Sequence, residues 1–455
     1  MADAIGAAGR GPVGGAGGRR SSPLRGFMNA TEIDPRMLGM IAALALIWFG
    51  FQVMTSWRLS GNPLALGEGV FLTPRNLWNL SVQTSTVAIM ATGMVLVIVS
   101  RNIDLSVGSL NGFLAMAMGK LQIEILPHFV GYDWPLTWII TVTFGIALGA
   151  LIGALQGFVI AFFGIPAFIV TLGALLVWRG AAWWVASGRT LAPMDSNFAK
   201  LGGGGFGSIG ETLSWVIAAV ACVGIVLAIV NGRRQRVRFQ FPLRPIWAEF
   251  TLAIIGCGAV IGAIAVINAY PMPIGLAKQY AQLNNIPWPA EGGLTIALGL
   301  AIPVLIAIGV GFVVTFIATR TRFGRYVFAI GGNPEAADLG GINTRWIIMK
   351  IFILMGVLCA IAGIVASARL NAATNALGTN DELYVIAATI IGGTSFAGGI
   401  GTVPGAMLGA VVMQSLQSGM QLMGIESPLQ NIVSGLVLVI AVGLDTWYRR
   451  RTRLG

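Results

Sequence analysis

Residues 332–343 read GNPEAADLGGIN, a polar segment with helix signals at both ends, set between two long apolar runs. Asn333 is a favoured N-cap, Pro334 fits the first helical position, and Glu335 brings negative charge to the first turn, where the helix dipole stabilises it. Gly340 and Gly341 stop the helix. The spacing predicts about two turns, bearing Ala336, Ala337 and Leu339. A helix this short is marginal in water, so the segment calls for a docking partner.

The chain around it is apolar. Of its 455 residues, 56% are hydrophobic and only 10% charged, and the mean hydropathy is +0.82. Too few polar side chains exist to cover a soluble globule, so the expected fold class is all-α, a polytopic membrane helix bundle embedded in a lipid bilayer. The net charge of +11 would suggest nucleic acid in a soluble chain. Here the positive residues fall in short loops beside apolar runs, where they report topology, and nucleic acid is a poor candidate partner. Cys222, Cys257 and Cys359 lie inside apolar runs without paired spacing, and His128 is the single histidine. Neither a disulfide framework nor a metal site is expected.

Residues 1–36 are rich in Gly, Ala and Arg and read as a disordered basic cytoplasmic tail. Apolar runs follow at 37–54, 77–100, 105–121, 136–163, 166–186, 213–230, 246–269, 294–317 and 347–368, then an interrupted region at 384–422 and a last run at 431–447. The membrane-spanning body is thus 37–447. With a cytoplasmic N-terminus, the arginine loop at 231–245, the charges around 320–350 and the basic tail at 448–455 all fall on the cytoplasmic side. The region 384–422 must then enter and return from the outer side. Its break, IGGTSFAGGIGTVPG at 391–405, contains six glycines and a proline, which suits two half-helices meeting inside protein. The expectation is ten spans plus this re-entrant pair, with twelve crossings as the alternative. The glycines at 202–205 read as a flexible turn, because a phosphate loop needs a following lysine and hydroxyl residue.

Three groups of residues carry two readings each. Gly145, Gly149, Gly153 and Gly157 share one face of the fourth span and let another backbone approach, within the subunit or across a subunit interface. A second break, SRNIDLSVGS at 100–109, places Arg101, Asn102, Asp104 and Ser106 between apolar runs. These line a solute pathway, or Asp104 caps the next helix and pairs with Arg101 near the interface. Gln83, Gln156, Thr394 and Ser395 are neutral hydrogen-bonding groups in apolar surroundings, suited either to a hydroxyl-rich solute or to contacts between helices. Arg179, beside Trp183 and Trp184, reads as a snorkelling residue at the aromatic belt.

No nucleotide-binding loop and no metal-ligand spacing occurs, so ATP hydrolysis is not expected in this chain, and no cofactor is implied. A gradient-driven secondary transporter with Asp104 as the titrating group is the competing class, and it leaves the capped helix unexplained.

Taken together, SRNIDLSVGS, FFGIPAFIVTLGALLVWRG at 162–180, FAIGGNPEAADLGGIN at 328–343 and AATIIGGTSFAGGIGTVPGAMLGA at 387–410 resemble the permease subunits of bacterial sugar ABC importers of the ribose, galactose and xylose type. The blocks occur in the family's order over 70–447, and the extra span pair at 213–269 looks most like the longer xylose permeases. The resemblance implies a homodimer in the bacterial inner membrane, working with a cytoplasmic ABC ATPase subunit and a periplasmic sugar-binding protein. It also implies that 333–341 is an EAA-type coupling helix, with Glu335, Ala336 and Ala337 at the triplet and Asn333, Pro334 and Gly341 framing it. Permeases for a nucleoside or a branched-chain amino acid remain within the same resemblance.

Overall fold

The computed structural model describes residues 31, 32, 35–289 and 293–453; most of the basic tail expected at 1–36 lies outside them. The principal helices are α1 (Pro35–Ser60), α2 (Pro74–Val99), α3 (Val107–Lys120), α4 (Thr137–Phe162), α5 (Ala167–Ala186), α6 (Gly210–Arg238), α7 (Ile246–Asn268), α8 (Ile302–Arg320), α9 (Arg322–Gly332), α10 (Pro334–Leu339), α11 (Thr344–Leu370), α12 (Asp381–Ile391), α13 (Val403–Leu422) and α14 (Ser427–Arg453). Short helical segments, among them Ser196–Lys200 and Ile274–Leu283, lie between them, and the described residues form isolated backbone bridges but no sheet. Among the described residues, eight helices are long and apolar enough to cross a bilayer, so the chain is a multi-pass membrane helix bundle. Proline in the first turn starts α2, α8, α10 and α13, where its missing N–H costs nothing.

Two helices form the centre. In its most apolar stretch α2 is 94% buried and α11 61%, whereas α7 is 6% buried and faces outward. The most extensive packing joins α11 to α4, and α2 is wrapped by α8, α11, α12 and α13. The glycine face of α4 makes the first of these contacts possible. A Cβ at Gly149 would meet the Gly356 carbonyl, one at Gly153 the Phe352 carbonyl, and one at Gly157 the backbone of Met349. The reading of close packing within the subunit therefore holds.

The interrupted region differs from two half-helices. α12 has 11 residues, but α13 has 20, about 30 Å of helix and enough to span. Its low hydropathy is tolerated because Gln414, Ser415 and Ser418 are buried in protein. Ser415 Oγ accepts from Trp48 Nε1 at 2.9 Å, and Ser418 Oγ donates to Asn76 Oδ1. The apolar run at 294–317 is also not helical from its start. Residues 296–300 pair by backbone with 209–210 and 270–272, Gly299 takes φ +74°, and the helix begins at Ile302. Backbone groups outside a helix must find partners, and here neighbouring loops supply them.

The arginine segment at 231–245, expected as a loop, is helical as far as Arg238. Arg233 pairs with Glu249, and Arg236 and Arg244 both pair with Glu32, just before α1. The two guanidiniums hold the Glu32 carboxyl down to about 2 from its ordinary value near 4.5. A depressed carboxylate contributes its stabilisation above the unfolded pKa and loses it as pH falls through the folded one. Titration from pH 8 to pH 5 should therefore leave this clamp intact, read as unchanged protection of the 239–245 turn from proteolysis. Release of the turn already at pH 5 would show that the arginines do not hold it.

Other expectations also change. The glycines at 202–205 form a packed turn, with Gly202 against the backbone of Ala368 and Arg369. Cys222 and Cys257 remain free thiols but face one another across α6 and α7, each Sγ about 4 Å from the other's carbonyl. Arg179 does not snorkel. It turns inward and donates to the carbonyls of Asn375, Leu377 and Gly378 at 3.1 Å, securing the segment that leads into α12.

Candidate functional site

The polar helix forms as its caps dictate. Asn333 Oδ1 accepts the Ala336 N–H at 3.1 Å, and the chain leaves α10 through Gly340 and then Gly341 at φ +81°. Ala337 is buried beneath it, while Glu335, Ala336 and Leu339 are exposed, Leu339 by 91%. A leucine presented so fully on a two-turn helix has no partner within the described subunit. α9 and the start of α11 carry α10, and Thr321 and Asn343 cap those two helices.

Both breaks meet this end of the bundle. Arg101 Nε donates to the Gly331 carbonyl at 2.8 Å and Arg101 Nη2 to the Gly332 carbonyl at 2.7 Å. These are the last carbonyls of α9, where a cation is favoured by the helix dipole. The Gly399 N–H in turn bonds to the Val99 carbonyl at 3.0 Å. Gly331 lies so close to Val99 and Gly399 that a Cβ there would strike backbone. Thus the end of α2, the break before α13 and the residue pair preceding Asn333 form one contact.

The first break is a buried hydrogen-bonded turn. Asp104 Oδ1 accepts from the Ser106 N–H at 2.8 Å and from Ser106 Oγ at 2.7 Å, and Gln156 Nε2 donates to Ser106 Oγ at 3.2 Å. Asp104, Ser106 and Gln156 are almost wholly buried. The expected ion pair between Asp104 and Arg101 does not form, because Arg101 is committed to α9; Ser106, not Asp104, is the N-cap of α3. Asn102 bonds back to Ser100.

The other expected pathway residues lie apart. Gln83 accepts from Gln414 between α2 and α13. Thr394 and Ser395 are buried in the second break. Ser395 Oγ accepts from the Ala397 N–H, and Thr394 Oγ1 has no partner among the described residues. A cavity of about 660 Å³ opens between α1, α2, α7, α8 and α13, lined by residues such as Ser81, Thr84, Gly262 and Met407 and by none of the seven expected pathway residues. Among the described residues, no three His, Cys, Asp or Glu side chains gather in a way that would hold a metal ion.

Two arginines carry more than sequence reading assigned to them. Arg101 connects segments 230 positions apart, and Arg179 reaches nearly 200 positions ahead. No local pattern encodes such partners. The only signal is the cost of a cation beside apolar runs, which demands an acceptor somewhere.

A membrane helix bundle with an exposed capped helix at the point where two helix breaks converge has the features of a transport subunit. The family described as branched-chain amino acid transport system / permease component matches residues 76–442, and the chain belongs to it. It is 35% identical over 412 residues to the xylose transport system permease protein XylH of Haemophilus influenzae, covering 90% of this chain and 96% of that protein. To XylH of Escherichia coli K12 it is 34% identical over 434 residues, 94% and 96% of the two chains. The ribose import permease protein RbsC of Escherichia coli K12 is 30% identical over 379 residues, 82% and 87% of the two. No solved structure matches.

Proposed function

We propose that the chain is the membrane-spanning permease subunit of an ATP-binding-cassette importer in the bacterial inner membrane, translocating a monosaccharide such as xylose or a similar pentose or hexose. A periplasmic binding protein delivers the sugar, a separate cytoplasmic ATPase supplies the energy, and two copies of this chain form the membrane pair. The names of the relatives support the solute class, since those compared above carry xylose or ribose in their names.

The single observation that carries the mechanism is the junction at Gly331–Asn333. α10 presents Glu335, Ala336 and Leu339 outward, while Arg101 and the Val99 to Gly399 contact tie its base to both breaks. A partner that closes on α10 moves the ends of α2 and α13 together. Transport requires that ATP change the relative stability of the outward-facing and inward-facing states, and this junction transmits that difference. Asn102, Asp104, Ser106, Gln83, Gln156, Thr394 and Ser395 remain the proposed polar groups near the route, acting weakly so that release is fast.

The test is assembly. Glu335→Lys combined with Asn333→Ala reverses the exposed charge and removes a cap worth about 1 kcal/mol. Co-purification with the ATPase should be lost while the permease itself accumulates normally in the membrane. Undiminished co-purification and uptake would rule out α10 as the docking element.

A further inference from the structure

We propose that the cleft between α12, α13 and α14 is a hydroxyl-recognising subsite for the transported monosaccharide; this rests on the sugar-permease reading above. The cleft has a volume of about 190 Å³ and is lined by Asn380, Tyr384, Asn431 and Ser434, with Met413 and Leu438 among its apolar walls. It belongs to neither break and shares no residue with the junction at α10.

Three features mark it as built for a ligand. Asn380 occupies the N-cap of α12 but does not cap it. Asparagine in that place ordinarily bonds its own helix; here it takes φ +66° and reaches across to Asn431 Oδ1 at 3.4 Å. Asn380 is half-buried and Asn431 exposed, so at the mouth of the cleft that single contact leaves Asn380 Oδ1 and Asn431 Nδ2 without a protein partner among the described residues, one acceptor and one donor. Ser434 Oγ is buried and also has no partner. A buried hydroxyl left unpaired is costly unless something else meets it.

The chemistry selects the ligand class. Amides and a hydroxyl offer both donors and acceptors, as a sugar hydroxyl requires. The buried ring of Tyr384 and the Met413 and Leu438 side chains suit the C–H faces of a pyranose or furanose ring. No charged side chain lines the cleft. A zwitterionic amino acid would leave both of its charges unpaired there, at a cost far above that of burying a neutral polyol. A neutral polyol therefore fits this lining better than a zwitterion does.

The experiment uses the full transporter, permease with its ATPase and binding protein, in proteoliposomes, with labelled D-xylose, D-ribose, D-galactose and L-leucine as probes. Ser434→Leu fills the cleft and Asn431→Ala removes an exposed amide without touching the core. Sugar uptake should fall by at least about tenfold in the first variant, the scale of one lost hydrogen-bonded contact, and measurably in the second. ATP hydrolysis stimulated by the loaded binding protein should persist in both. Should Ser434→Leu fail to assemble, Asn431→Ala decides. Wild-type sugar uptake with both variants equally active would overturn the subsite alone; uptake of L-leucine and no sugar by the wild type would overturn the sugar reading and the subsite with it.

Discussion

A chain carrying Gly153→Leu should fail to accumulate in the membrane as a monodisperse protein. The side chain would have to enter the space occupied by the Phe352 carbonyl and the Ile353 backbone of α11. Backbone cannot rotate aside as a side chain can, so α4 must separate from α11 along the most extensive contact in the bundle. In a bilayer no hydrophobic force between helices compensates; close packing is what holds them. Overpacking a core costs roughly 1–3 kcal/mol even where side chains yield, and the cost here exceeds that, a large fraction of a stability of about 5–15 kcal/mol. Gly173→Leu on α5 is the matched control, because a side chain there meets open space. Size-exclusion profiles of detergent extracts read the difference. Equal yields for the two variants would contradict the packing account.

The second large effect is uncoupling by Arg101→Met. The variant keeps the aliphatic bulk but loses two charge-assisted hydrogen bonds onto the end of α9. Such bonds contribute about 1.5–3 kcal/mol each when buried, and less here because the Arg101 guanidinium is partly exposed to water. Asn333 and its cap are untouched, so α10 should still form and co-purification with the ATPase should persist. Solute moved per ATP hydrolysed should fall by about tenfold, the equivalent of roughly 1.4 kcal/mol of lost coupling. Arg101→Lys should rescue only partly, since an ammonium cannot span two carbonyls as the planar fork does. A wild-type transport ratio in Arg101→Met would show that the junction carries no coupling.

What sequence made legible follows from how local each signal is. The helix at 334–339 was readable because its N-cap, proline and glycines act within a few residues of one another. The packing face of α4 was readable because a four-residue glycine period has one physical use in an apolar helix. The convergence of the two breaks was not readable, since Arg101 and Gly331 approach only after α2, α8 and α9 have packed. The same limit explains Arg179, whose acceptors lie on a distant segment, and the alternative pairing of Arg101 with Asp104, which local spacing allows and the α9 carbonyls preempt. Hydropathy located the start of the run at 294 but not that of the helix, because backbone pairing with 209–210 and 270–272 engages residues 296–300 outside the helix. It also underrated α13, whose buried glutamine and serines lower its hydropathy although protein, not lipid, surrounds them.

The central claim is that a separate ATPase drives this chain. Its most direct test is uptake of labelled sugar into proteoliposomes containing the permease, with the ATPase, ATP and the binding protein each supplied or withheld, in the presence of a protonophore. Uptake should require all three components and be indifferent to the protonophore. Uptake by the permease alone along an imposed proton gradient, abolished by the protonophore and unaffected by ATP, would contradict it.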